Sequence, residues 1–212
     1  WQITARKQFG DLVGVEFRYF KMDDWHATFG TPTIAGGSGV VYNGDVRNAS
    51  GILGLFTVPV RSSLSYTSEL QNLEANLRLQ LTENIVGLIG YRHLEWHDRM
   101  TVNQVQTTAP FWASHDIRAQ NDLDGAQIGG EANLLEWQGL RIDGLVKAGV
   151  FQNAASNHLE YNNNFSAGVP AVTGCDSSVT SFVGEVGLNA TVQVTRNIAV
   201  RGGYMCLWIY EI

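Results

Sequence analysis

Residues 68–96 read SELQNLEANLRLQLTENIVGLIGYRHLEW, and the order of residue types in this stretch decides the fold. Leu73, Ala75, Leu77, Leu79 and Leu81 alternate with Asn72, Glu74, Asn76, Arg78 and Gln80. In an extended chain that alternation puts apolar groups on one face and polar groups on the other. Thr82, Glu83 and Asn84 then supply a tight polar turn, and the chain returns through Ile89 and Tyr91 with Arg92 on the opposite face. The segment is predicted to be an antiparallel hairpin.

The same plan recurs at residues 125–151 (GAQIGGEANLLEWQGLRIDGLVKAGVF) and 181–208 (SFVGEVGLNATVQVTRNIAVRGGYMCLW), with Asn76, Asn133 and Asn189 in matching places at nearly equal spacing. Such a period signals one supersecondary unit used repeatedly. Residues 12–22 (LVGVEFRYFKM) read as the return half of a further unit, with Val13, Val15, Phe17 and Tyr19 opposed to Glu16 and Arg18, and residues 1–8 as its outgoing half. Eight strands follow, at about 1–8, 11–24, 64–81, 85–99, 116–135, 139–153, 180–195 and 198–211. Short turns on one side alternate with long loops on the other, at about 25–63, 100–115 and 154–179, which is the pattern of outer-membrane barrels.

Composition agrees. The 212 residues fit one all-β domain. Apolar residues make up 44% and charged residues 16%, well under the roughly 25% of ordinary soluble domains. A net charge of −6 leaves no basic face for phosphate neutralisation, so nucleic acid is excluded as a partner. No run approaches the roughly 18 continuous apolar residues of a spanning helix.

Alternation alone does not say which face is enclosed, because a soluble barrel buries its apolar face and a membrane barrel its polar one. Charge decides. The central polar-face positions hold Glu16, Arg18, Glu74, Arg78, Arg92, Glu131, Asp143, Lys147, Glu185 and Arg201, with acids and bases in equal numbers. Enclosed charges must be paired, since an isolated one costs several kcal/mol. The apolar face is free of charge through the strand centres and rich in Gly87, Gly130, Gly144, Ala148, Gly184 and Gly202, which would pack a dry core poorly. Tyr19, Tyr91, Trp137, Tyr204 and Trp208 lie near strand ends, as aromatic girdles do. The predicted fold is therefore all-β, an antiparallel up-and-down transmembrane-type β-barrel of about eight strands with polar interior and apolar exterior. Leu77, Ile142 and Leu188 should point away from the axis, and Glu74, Lys147 and Glu185 toward it.

The return strands GVEFRYFKM from Gly14, GYRHLEWHDRM from Gly90 and GGYMCLWIYEI from Gly202, together with the turns TENI and TRNI, resemble the β-barrel porin family abundant in planctomycetes. The likeness runs from about residue 10 onward. The chain departs from the family's pattern in stopping at Ile212 without a terminal aromatic. What the resemblance implies is an outer-membrane barrel, and it brings no catalytic residues.

Few residues suggest chemistry. His93, Glu95 and His97 alternate along one strand and so share a face, with Asp98 nearby, which is a candidate zinc or copper arrangement; the competing reading is a polar strand end at the rim. Ser114, His115 and Asp116 supply hydrolase groups, but neighbours on a strand point to opposite faces. Cys175 and Cys206 are expected near the outer rim, where they could meet in a disulfide, and two free thiols fit the sequence equally well. No cofactor is expected. These observations predict a non-enzymatic integral outer-membrane protein with a structural, envelope or surface-interaction role, whose partners are a lipid bilayer or detergent and other copies of itself through open strand edges. A transport pore and a β-barrel subunit of an extracellular assembly are the alternatives.

Overall fold

The computed structural model describes residues 1–30, 60–106, 110, 112–164, 171–195 and 198–211. The strands are β1 (Gln2–Phe9), β2 (Val13–Gly30), β3 (Val60–Thr82), β4 (Ile85–Gln106), β5 (Trp112–Trp137), β6 (Leu140–Asn163), β7 (Ala171–Thr195) and β8 (Ile198–Tyr210). They form one antiparallel sheet in chain order. Among the described residues no ladder joins β1 to β8. The turn between β5 and β6 has Gln138 at φ 45° and Gly139 at φ 86°. Positive φ at both central residues is the two-residue hairpin geometry whose twist matches the strands it joins.

The sheet is strongly curled, because inward side chains of distant strands touch. Arg18 on β2 reaches Glu185 on β7, and Arg6 on β1 reaches Glu131 on β5. The result is a barrel-like wall whose polar face is enclosed. Leu77 and Leu188 are 40% and 53% exposed and Ile142 is half-buried, whereas Glu74, Lys147 and Glu185 are buried at 0 to 2%. The orientation expected from charge is the one observed.

The strands run further than their apolar stripes suggested. Residues 100–106 and 112–115 are strand, as are 154–163 and 171–179, so most of two expected loops is sheet. Of the third, 25–30 and 60–63 are also strand, and residues 31–59 lie outside the described ones. The reason is a change of phase. Apart from Lys7 on β1, the outer face is apolar from each turn up to one row of paired residues, in which Ala5, Phe17, Ala75, Tyr91, Ala126, Val150, Phe182 and Tyr210 stand opposite one another from β1 to β8. Slightly above it the same face carries Lys21, Gln71, His93, Asp124, Gln152 and Thr180. On β4 to β7 it continues through Glu95, His97, Arg99, Asp116, Glu160 and Asp176.

The inner face changes in the opposite sense. Above the charged positions, Leu94, Leu123, Phe151 and Val183 form a buried cluster joined by Leu70, Trp96, Leu207 and Ile209. Phe20 is buried as well, with the Arg18 guanidinium 5.7 Å from its ring centre. Each fully buried apolar side chain of this size contributes about 1.5–3 kcal/mol. The ring of Phe151 lies against Gly125 and Gly149, where an added Cβ would meet Phe151 atoms at 2.6 and 2.7 Å. An aromatic covering strand glycines in this way fixes both the register and the ring.

Gly125→Val is expected to destabilise the fold by about 1–3 kcal/mol through overpacking. Gly202→Ala, where a Cβ meets nothing within 4 Å, should change it by less than about 0.5 kcal/mol. Urea titrations of the two variants in detergent micelles check the pair, and equal effects would contradict this packing.

Candidate functional site

The enclosed charges form two layers. In the upper one, the Arg18 guanidinium donates from Nε to Glu74 at 2.9 Å and from Nη2 to both Glu185 oxygens at 2.6 Å. Arg92 donates from Nη1 to Glu185 at 2.9 Å, and Lys147 donates from Nζ to Glu74 at 2.5 Å. Glu74 also accepts from Asn72 at 2.9 Å, Gln127 at 3.0 Å and Asn76 at 3.3 Å. All these side chains are nearly inaccessible, and the Arg92 Nη2 group alone in this layer is buried without a partner among the described residues. In the lower layer, Arg6 and Arg78 each bridge Glu16 and Glu131 at 2.6 to 2.8 Å. Asn76 ties the layers together by donating to Glu16 at 3.2 Å.

Strand alternation explains why these groups meet. Arg18, Glu74 and Arg92 are consecutive cross-strand partners, as are Lys147 and Glu185, so Glu74 and Glu185 each have a cation beside them on the next strand as well as one across the lumen. Eight of the ten expected network residues are joined in this way. The other two lie apart from it. Asp143 pairs with Arg141 at 2.8 Å near the turn end, and Arg201 is exposed and forms no ion pair among the described residues. Arg6 is the member that the sequence did not single out. Its signal was the short polar and apolar alternation of β1, too weak to assign a face.

Below the charge layers a cavity of about 990 Å³ opens at the turn end, bounded by Arg6, Arg78, Glu131, Asp143, Asn189 and Arg201 among others. Above the layers the apolar cluster around Phe151 is packed against the inner wall. The interior is thus an open vestibule on one side and a packed plug on the other.

The remaining candidates behave differently from their sequence readings. His93 Nδ1 lies 2.7 Å from Asp124 and Nε2 2.9 Å from Glu95. Both ring nitrogens therefore face carboxylate acceptors, which favours the protonated ring, while His97 turns to Asp122 at 3.7 Å. The triad His93, Glu95 and His97 does not converge on one point, and among the described residues no three such side chains do. Cys175 and Cys206 are free. Cys206 stands opposite Val186, which lies eleven positions along β7 from Cys175, roughly 35 Å of strand, so a disulfide is ruled out. The expected loop that was to bring them together is strand, and it carries Cys175 away. Asp116 holds Arg99 and Arg118 on the outer wall at 2.8 and 2.7 Å, with Arg99 first in keeping its carboxyl below the usual range. His115 instead points inward against Tyr161, with ring centres 4.7 Å apart, and burial pushes its pKa down. Ser114, His115 and Asp116 form no relay.

The chain matches no protein-family model and no curated protein sequence.

Two outcomes follow from this geometry. Glu74→Ala leaves Arg18, Lys147 and Arg92 short of an anion and should cost about 3–5 kcal/mol in urea unfolding, with part of the loss recovered by adding Lys147→Met; full additivity of the two changes would contradict the pairing. The hydrogen bond to Glu95, aided by Asp124 against partial burial, raises the His93 pKa above 6.5. Its stabilising contribution is then complete below pH 6.5 and is lost as pH rises through the folded-state value. Imidazole NMR should show His93 titrating above 6.5 and moving back toward it in Glu95→Gln.

Proposed function

We propose that this chain is a membrane-spanning wall of an outer-membrane-type β-barrel, non-enzymatic, whose long strands carry a polar, surface-exposed collar beyond the bilayer. The observation that carries the reading is the change of the outer face from apolar to charged along one continuous register row. Nothing in a soluble barrel requires that row. A lipid boundary does, since hydrocarbon disfavours charge by about 2–4 kcal/mol per basic side chain at mid-depth, and water above it favours charge.

Strand length supports the same reading. β3 to β7 contain 22 to 26 residues each, whereas a tilted strand needs only about 9–11 to cross a bilayer. The surplus is the part with charges outside and apolar groups inside. The resemblance to the planctomycete barrel family points to the same location, the bacterial outer membrane. The role is structural: the plug and charge layers stiffen the wall, and the collar presents Asp116, Arg99, Arg118 and their neighbours to the surroundings.

A transport pore is the second reading, favoured by the vestibule of about 990 Å³. The packed layer of Leu94, Leu123, Phe151 and Val183 beyond it argues for the structural role.

Insertion into liposomes tests the proposal. Leu188→Arg and Val146→Arg, within the band, should each cost about 2–4 kcal/mol of stability in the bilayer, while Asp124→Arg above it should cost far less. Equal costs at all three positions would overturn the lipid-facing reading. Planar-bilayer recordings separate the two roles, with conductance of general-porin size favouring transport.

A further inference from the structure

Among the described residues the sheet leaves the edges of β1 and β8 unpaired, and both border the open half of the lumen. Three observations bound what belongs between them. The first is direction. Neighbours alternate from β1 to β8, so β1 runs toward the turn end and β8 away from it. Only an even number of strands keeps the wall antiparallel.

The second is curvature. A closed eight-stranded barrel is filled by its own side chains, yet here a cavity of about 990 Å³ remains, bounded by Gln2, Thr4 and Arg6 on one edge strand and by Arg201, Gly203 and Met205 on the other. The wall is bent for a wider barrel. The third is the limit on that width. Arg6 touches Glu131 and Arg18 touches Glu185 across the lumen at 2.6 Å, so the wall cannot spread to admit a second whole sheet. Two strands satisfy all three conditions.

We propose that the seam between β1 and β8 is a docking site for an antiparallel β-hairpin of a partner polypeptide, apolar on its outward face and carrying a carboxylate on its inward face. Recognition is by main-chain hydrogen bonding to the free edges, with side chains setting specificity. The outward character follows from the band, which continues to Ile3 and Phe9 on one side of the seam and to Val200, Tyr204 and Trp208 on the other, all exposed. The inward carboxylate answers Arg201, which lines the cavity exposed and without an ion pair among the described residues. If the band faces lipid, as proposed above, unpaired edges within it leave backbone groups unsatisfied; the seam geometry itself does not depend on that reading.

The test is made in detergent micelles, where it reads the seam and not the lipid contact. The probe is a synthetic peptide of residues 182–210 with Cys206→Ser, an alternating hairpin whose inward face carries Glu185. The expected result is a one-to-one complex by native mass spectrometry, at least tenfold slower amide exchange in β1 and β8, and several-fold weaker binding to Arg201→Ala. A peptide with scrambled alternation should not bind. Absence of a complex, or edges already protected without peptide, overturns the proposal. So does disulfide formation in the Ala5→Cys/Gly202→Cys variant lacking the native cysteines: within one chain it shows self-closure, and between chains it shows exchange between copies.

Discussion

The buried carboxylate of Glu74 is the constraint on which the rest of the molecule depends. It accepts from Arg18 on β2, Asn72 on its own strand, Gln127 on β5 and Lys147 on β6. An enclosed charge is tolerated only when its lone pairs are occupied by donors in good geometry. Gln127 and Lys147 sit on strands two and three places away from β3, so they reach Glu74 only if the sheet bends. Curl, inward polarity and the exclusion of water are therefore one requirement met together. Glu185 repeats the arrangement with Arg18 and Arg92, and Glu16 and Glu131 repeat it one layer below with Arg6 and Arg78.

The collar obeys the opposite rule with the same backbone. Because side chains alternate without a register shift through the row on β4 to β7, the faces cannot exchange places there, and only the residue types change. Arg92 is followed inward by Leu94, and Tyr91 is followed outward by His93. Below the row the interior is ionic and the exterior apolar; above it the interior holds Phe151 and Leu123 and the exterior ionises. On the proposed reading each half suits a different surrounding medium, which is how one continuous strand would serve both.

Much of this was legible in the sequence, and the failures have a common cause. Strand number, pairing order and the inward face of Glu74, Lys147 and Glu185 follow from alternation with charge balance, which is strong wherever one face is uniformly apolar. Beyond Arg99 and Gln152 neither face is uniform, so the alternation fades and strand reads as loop. Of the two cysteine readings the disulfide fails for the same reason, since Cys175, expected on a loop, lies on β7. The metal candidate failed for another reason. Shared parity places His93, Glu95 and His97 on one face, but it is blind to Asp124 and Asp122 on the next strand, which draw the two histidines apart. Arg6 escaped notice because β1 is short, and Asp143 left the network because Arg141 lies on the same face two residues away.

The distribution of these contacts also separates a fixed centre from an adaptable margin. β2 to β7 supply every member of the upper charge layer and all four residues of the apolar cluster, so their relative positions are over-determined. β1 enters the charge layers through Arg6, and β8 touches the interior through Met205, Leu207 and Ile209. All of β1 is exposed, and Tyr204 on β8 is 77% exposed. A wall built this way can alter its closure without disturbing the upper charge layer, because β1 and β8 contribute none of its members and β1 holds only the Arg6 pairs of the lower one. The part of the molecule with most freedom to engage a partner is thus the part whose rearrangement costs the buried network least.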